Sequence, residues 1–136
     1  MKKFLLTILC LATLMSCMNM TAFAQEAQIT PRYNNVNTAN SDFRIEADGT
    51  ARVTLAYTGY VGTTKSVRIT TTLQKRNLLV FWKDVTEWTD TSTNSSGNFL
   101  HTYHVEEGTY RVKIRFEFSG SGGASDVIEK EHKVSY

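Results

Sequence analysis

The sequence has few cysteines and prolines, and their positions are informative. The two cysteines, Cys10 and Cys17, lie near the N-terminus, and the one proline is Pro31. A domain that follows them has no disulfide available and must be stabilised by apolar packing. Apolar residues at helical spacing are also missing. The two-residue period of β-strands takes their place.

Excess charge of one sign is missing as well. The chain has 15 basic and 13 acidic side chains, and Lys2 and Lys3 are the only charged residues among the first 24. Without those two lysines the chain has 13 charges of each sign. Binding to nucleic acid is marked by a basic excess, usually clustered on one surface. The balance of charge therefore predicts no nucleic-acid partner.

The N-terminal residues have the pattern of a secretory signal peptide. Lys2 and Lys3 precede an apolar run, which is followed by the small-residue site Ala22-Phe23-Ala24. The run is too short for a convincing membrane span. The pattern predicts cleavage after Ala24 and a secreted chain that begins at Gln25, with no transmembrane segment after signal removal. The alternative is a lipid anchor, because Leu14-Met15-Ser16-Cys17 is similar to a bacterial lipobox and would place the lipid on Cys17.

The clearest β-strand lies in residues 106–118. Its apolar side chains alternate with polar ones, so that one face is apolar and the other is charged. The predicted inward side chains are Tyr110, Val112, Ile114, Phe116 and Phe118. A second sheet must cover this apolar face.

Similar alternation marks the rest of the chain. Residues 43–57 predict a hairpin with a two-residue turn at Asp48-Gly49. Further strands are expected at residues 67–74, at 99–105 and at the edge in 126–136, with a polar loop over 89–98. We therefore predict an all-β fold, an antiparallel immunoglobulin-like β-sandwich of seven or eight strands without a disulfide. The predicted organisation is a signal peptide at 1–24, a polar arm or edge strand at 25–41, and the sandwich at 42–136.

Two resemblances accompany this pattern. The run Glu106-x-Gly108-x-Tyr110-x-Val112 resembles the motif that opens strand F of immunoglobulin-like domains. This resemblance implies a tyrosine corner, in which the Tyr110 hydroxyl bonds to the upstream backbone. Three further runs are Thr72-Leu73-Gln74-Lys75, Trp82-x-x-Val85-x-x-Trp88 and Thr109-Tyr110-Arg111-Val112-Lys113. In these runs the chain is similar to uncharacterised small secreted immunoglobulin-like proteins of Gram-positive bacteria. That similarity implies a fold and an export route but no activity.

No pattern of residues predicts catalysis. His101 and His104 could form half of a metal site, but residues three apart on a strand point to opposite faces. No serine has a recognisable neighbouring base in the sequence. We therefore expect a protein that is not an enzyme and has no cofactor, metal or catalytic residues.

Two side-chain groups could bind cell-surface polymers. Arg111, Lys113 and Arg115 form a basic row that could contact acidic glycans, although pairing with Glu129 and Glu131 would explain it. Aromatic side chains could stack on sugars or could belong to the core. They are Tyr57, Tyr60, Trp82, Trp88 and Tyr103.

The candidate contact surface is the apolar run Leu78-Leu79-Val80-Phe81-Trp82, which follows the break in alternation at residues 75–77. A two-layer sandwich buries one face of each strand, so an apolar run of both parities leaves some side chains without an internal partner. If Trp82 points inward, Leu79 and Phe81 project outward or cap a hairpin. The alternative is a longer strand covered by the N-terminal arm.

The expected function is that of a secreted or cell-surface interaction module that contacts a partner through Leu79 and Phe81. The partner would be a protein, a second copy of the chain or a cell-surface component such as a membrane. The alternative function is a carbohydrate- or cell-wall-binding β-sandwich module.

Overall fold

The computed structural model describes residues 32–78 and 80–136. These residues form seven β-strands. In chain order they are β1 (Val36–Ile45), β2 (Thr50–Gly59), β3 (Thr64–Asn77), β4 (Phe81–Ser92), β5 (Ser96–His104), β6 (Thr109–Gly120) and β7 (Asp126–Ser135). The predicted signal peptide and both cysteines lie outside the described residues.

The strands form two antiparallel sheets. One has three strands in the order β1-β2-β5, and the other has four in the order β4-β3-β6-β7. Apolar side chains from both sheets share one core. The predicted antiparallel sandwich is confirmed, with seven strands. β1 lies at the edge of its sheet and includes residues 36–41, which the sequence assigns to an arm or an edge strand.

Strand β6 lies at the centre of this core. Val112, Phe116 and Phe118 are fully buried, and Tyr110 and Ile114 nearly so, as the alternation predicts. Phe118 meets Tyr57 of the opposite sheet edge to face, with ring centroids 5.8 Å apart. Burial of such side chains contributes about 1.5–3 kcal/mol each. The core can therefore stabilise the domain without a disulfide.

The β1–β2 hairpin is present, but its turn differs from the predicted one. Ile45 pairs with Ala51, and the Gly49 amide donates to the Glu46 carbonyl at 3.0 Å. Gly49 has φ of 80°, whereas Asp48 is not among the residues with positive φ. A two-residue type I′ turn needs positive φ at both central residues, so the two-residue prediction is wrong and the loop has a further residue. Hydrogen bonds from Thr50 hold the pKa of Asp48 below its ordinary value.

Strands β3 and β4 are longer than the alternation predicts. β3 continues through residues 75–77, and the predicted polar loop at 89–98 is wrong because β4 reaches Ser92 and β5 begins at Ser96. Threonine and serine supply much of this extension, and their polarity conceals it in the sequence. A β-bulge interrupts the β3–β4 ladder. The pairing skips Val85 between the pairs Leu73–Thr86 and Gln74–Asp84.

A polar latch, formed by Asn34, Asn35, Thr64 and Asp126, ties the start of the described chain to the β6–β7 end. The Asp126 carboxylate accepts hydrogen bonds from the backbone amides of Asn34 (2.9 Å) and Asn35 (2.5 Å). The Asn35 side-chain amide donates to the Ala124 carbonyl at 2.9 Å. Thr64 donates to the Asn35 carbonyl at 2.5 Å. Asn35 and Asp126 are buried, and these bonds compensate the cost of burying them.

Candidate functional site

The turn between β3 and β4 exposes a cluster of apolar side chains. Leu78, Val80 and Phe81, called the apolar tip below, have relative exposures of 80%, 72% and 70%. Asn77 pairs with Phe81, and the Val80 amide donates to the Leu78 carbonyl at 2.7 Å. Leu78 and Val80 therefore lie between the two strands, and Phe81 begins β4. The candidate contact residue Phe81 is part of this tip, whereas Leu79 lies outside the described residues.

The backbone of the apolar tip is unusual. Leu78 has φ of 46°, and among the described residues it is the only one other than glycine with positive φ. Left-handed backbone brings Cβ close to the following carbonyl oxygen, so glycine or asparagine is preferred there. Leu78 is thus exposed and strained at once. Neither local propensity nor core packing explains a leucine at this position.

The hairpin projects beyond its neighbour in the sheet. The last β3–β6 pair is Lys75 with Tyr110, whereas the β3–β4 ladder continues through Arg76–Trp82 to Asn77–Phe81. Two further residue pairs extend a strand by about 7 Å. The apolar tip therefore stands away from the core.

Trp82 lies on the outer face of the four-stranded sheet and not in the core. The Arg111 guanidinium carbon lies 4.3 Å from the centroid of its ring, and the Lys133 ammonium lies 5.9 Å from it. The Arg111 side chain also donates to the Gln74 side chain at 2.6 Å. Cations attracted to the face of the indole ring fix Trp82 beside the apolar tip.

The two arginines of the basic row form ion pairs with acidic side chains, as the cross-strand alternative predicts, and Lys113 lies directly opposite Glu131 in the ladder. Arg115 donates to Glu129 at 2.7 Å, and Arg111 contacts Glu131 at 3.5 Å. The hydrogen bond with Glu129 raises the pKa of Arg115, and the one from Lys133 lowers the pKa of Glu131. Most of these groups are exposed to solvent, so each pair adds little to stability.

Tyr110 makes the hydrogen bond that the resemblance to immunoglobulin-like domains implies. Its hydroxyl donates to the Glu106 carbonyl at 2.8 Å, and its ring is buried. The Lys75 ammonium lies 5.6 Å from the centroid of the same ring. Tyr110 therefore fixes the β5–β6 turn at the same end of the sandwich as the apolar tip.

His101 and His104, the two histidines considered above as half of a metal site, point in different directions. The Nε2 atom of His101 lies 2.7 Å from the Asp90 carboxylate, and its ring stacks on Trp88 with centroids 4.9 Å apart. His104 is exposed on the other face of β5. In the part of the chain that the structure describes, no group of three potential metal ligands is found. His101 instead connects β5 to β4 along one side of the sandwich.

A second histidine bridge connects the sheets on the opposite side. Ser41 on β1 lies 2.7 Å from Nε2 of His132 on β7, and the two residues are 91 positions apart. No local spacing in the sequence marks this pair, so the sequence does not predict it. A serine nucleophile also needs a group that orients the imidazole, and among the described residues no carboxylate bonds to His132. The contact connects two edge strands.

The five candidate aromatic side chains are dispersed. Tyr57 is buried, Trp88 is covered by His101, and Trp82 is contacted by Arg111. Tyr103 pairs with the buried Ala51, but it is 40% exposed and lies near the end of β5. Tyr60 lies in the loop at the opposite end of the sandwich. These rings do not form a common platform for a sugar.

No family model matches the chain, and no curated protein matches it. Two crystal structures of wild-type OgpA from Akkermansia muciniphila are similar, at 15% and 14% identity, with TM-scores of 0.42 and 0.43. The similarity covers 79% of this chain and 32% and 30% of the OgpA chains. This chain thus spans about a third of their length. No helix in residues 32–78 or 80–136 is long and apolar enough to span a membrane.

Proposed function

We propose that this chain is a secreted, non-enzymatic contact module that binds a cell-surface component through the apolar tip. The observation that carries the proposal is the exposure of Leu78, Val80 and Phe81, each at least 70% exposed, on a projecting hairpin. Covering side chains of this kind contributes about 1.5–3 kcal/mol each. A contiguous exposed apolar patch is typical of an interaction site.

The arrangement of the surrounding residues supports this proposal. The apolar tip closes a paired antiparallel hairpin, and Trp82 beside it is contacted by Arg111. A preorganised surface loses little conformational entropy on binding. The basic row and the histidine bridges, in contrast, have partners within the chain.

The experiment is a binding assay on cells of a bacterium that secretes the protein. We expect the wild-type protein to remain bound after washing. The affinity of the double variant Val80→Ser with Phe81→Ser for the cells should be at least tenfold lower. The matched control is Val61→Ser with Leu100→Ser, which also removes two exposed apolar side chains, 89% and 54% exposed, away from the tip. Equal binding of the tip variant and the wild type would contradict the proposal. A large fall in its melting temperature would show that the tip is part of the core.

Export is tested separately by the intact mass of the protein in the culture medium. The proposal requires a chain that begins at Gln25 and carries no lipid. A chain that begins at a diacylated Cys17 would overturn the soluble form of the proposal and support membrane anchoring.

A further inference from the structure

Like charges face each other beside the apolar tip. Lys75 on β3 pairs directly with Lys83 on β4, and Arg111 on β6 pairs directly with Lys133 on β7. Like charges in directly opposite positions are destabilising in a sheet. Nearby acids offset part of the repulsion, since Glu106 lies 3.7 Å from Lys75, and Glu131 contacts both Arg111 (3.5 Å) and Lys133 (3.0 Å).

The cations lie on both sides of the hairpin and close to its turn. Arg76 precedes Leu78 by two positions, and Lys83 follows Phe81 by two. Arg76 shares a face with Trp82, its partner in the ladder, whereas Lys75 and Lys83 share the other face. The apolar tip therefore has a basic rim, which we define as Lys75, Arg76 and Lys83. Trp82 lies at the level of Arg76, one residue pair nearer the tip than Lys75 and Lys83.

We propose that the apolar tip inserts into an anionic lipid bilayer while the basic rim binds lipid phosphates. This inference rests on the proposed function and specifies its partner. Apolar side chains partition into the boundary between headgroups and acyl chains, and basic residues next to them are attracted to anionic lipid. Trp82 lies at the level of the headgroups, where tryptophan is enriched in membrane proteins.

The shape of the tip favours a bilayer over a protein partner. Stable protein interfaces bury about 800 Å² on each side and involve some 20 residues or more, whereas the exposed apolar residues here occupy one hairpin turn. A bilayer can surround a projecting tip on all sides without a complementary pocket. It also places phosphates beside the opposed Lys75 and Lys83, where an anion relieves their repulsion.

The test is sedimentation of the secreted protein with phosphatidylcholine vesicles, prepared with and without phosphatidylglycerol. We expect binding only to the phosphatidylglycerol vesicles, and weaker binding at high salt, because salt screens the basic rim. Val80→Ser with Phe81→Ser should lower affinity at least tenfold. Lys83→Gln should lower affinity about fivefold, whereas Val61→Ser with Leu100→Ser should bind like the wild type.

Insertion is measured with a fluorophore on cysteine. A secreted chain that begins at Gln25 contains no cysteine, so Val80→Cys or Val61→Cys provides a single labelling site. A polarity-sensitive dye at position 80 should brighten on phosphatidylglycerol vesicles, and the same dye at position 61 should not. An equal response at both positions would overturn insertion through the tip.

The outcomes separate this inference from the proposed function. If the wild-type protein binds no vesicles but its binding to cells still requires Val80 and Phe81, the lipid inference is wrong and the contact module stands. If self-association replaces vesicle binding and is lost in the tip variant, the partner is a second copy of the chain. If the tip variant binds cells and vesicles as the wild type does, both proposals fail.

Discussion

The two ends of the four-stranded sheet depart in opposite ways from the usual arrangement of apolar side chains inside and polar side chains outside. At the β6–β7 end, the polar residues Asn35 and Asp126 are buried. At the β3–β4 end, the apolar residues Leu78 and Phe81 are exposed. The buried polar groups have hydrogen-bond partners within the chain. The buried polar groups are compensated by contacts inside the fold, whereas under the proposed function the apolar tip is compensated by a partner.

The core between the two ends should be the most sensitive part of the domain. Val112 is completely buried on β6. Val112→Asp would bury a carboxylate without a partner, so we expect the variant not to fold. Circular dichroism and denaturant titration provide the measurement, and Lys113→Asp on the outer face is the control. A stable Val112→Asp variant would contradict the assignment of the two faces of β6.

The polar latch should show the next largest effect. Asp126→Ala removes the acceptor of the Asn34 and Asn35 amides, and the Asn35 amide is then buried without a partner. We expect the free energy of unfolding to fall by about 3 kcal/mol, measured by denaturant titration. Asp126→Asn retains one acceptor oxygen, so its free energy of unfolding should fall by a smaller amount. If Asp126→Ala is as stable as the wild type, the polar latch does not stabilise this end. The contrast between a compensated polar end and an exposed apolar end would then be wrong.

Tyr110 makes a polar contact at the end of the sandwich where the apolar tip lies. Tyr110→Phe removes the hydrogen bond from its hydroxyl to the Glu106 carbonyl and keeps the buried ring. We expect thermal or denaturant unfolding to show a loss of about 1 kcal/mol. Tyr136→Phe, which removes an exposed contact to the Ala47 carbonyl, should change stability by less than about 0.5 kcal/mol. Equal losses in the two variants would show that burial does not strengthen the tyrosine corner.

The sequence predicts local features of the fold and misses contacts between distant residues. Alternation at Tyr110, Val112 and Phe116 identifies the core face, because strand periodicity alone fixes which side chains point inward. The polar latch joins Asn35 to Asp126 across 91 positions, and no local pattern contains that pairing. The contact of Ser41 with His132, also across 91 positions, is missed for the same reason.

The apolar tip was predicted only in part. An apolar run of both parities indicates that some side chains lack a core partner, but it does not place Trp82. The prediction allowed an inward Trp82, whereas the indole lies on the outer face beside Arg111. The ladder explains this position, since β3 continues to Asn77 and pairs Arg76 with Trp82. Pairing across strands, which the sequence does not show directly, decides the face.

The smallest expected effect on stability, and the sharpest test of the comparison, comes from Leu78. Asparagine adopts positive φ more readily than leucine, so Leu78→Asn should raise the free energy of unfolding by about 0.5–1 kcal/mol while removing an exposed apolar side chain from the tip. Phe81→Asn is the matched control, because it removes apolar surface at a residue whose φ is not positive and should give no such gain. Denaturant titration measures the stability of both variants, and the cell-binding assay measures their contact with the surface. Higher stability of Leu78→Asn together with weaker binding would show that Leu78 is retained for an external contact at the expense of the fold. A loss of stability in both variants would show instead that the tip packs against the domain.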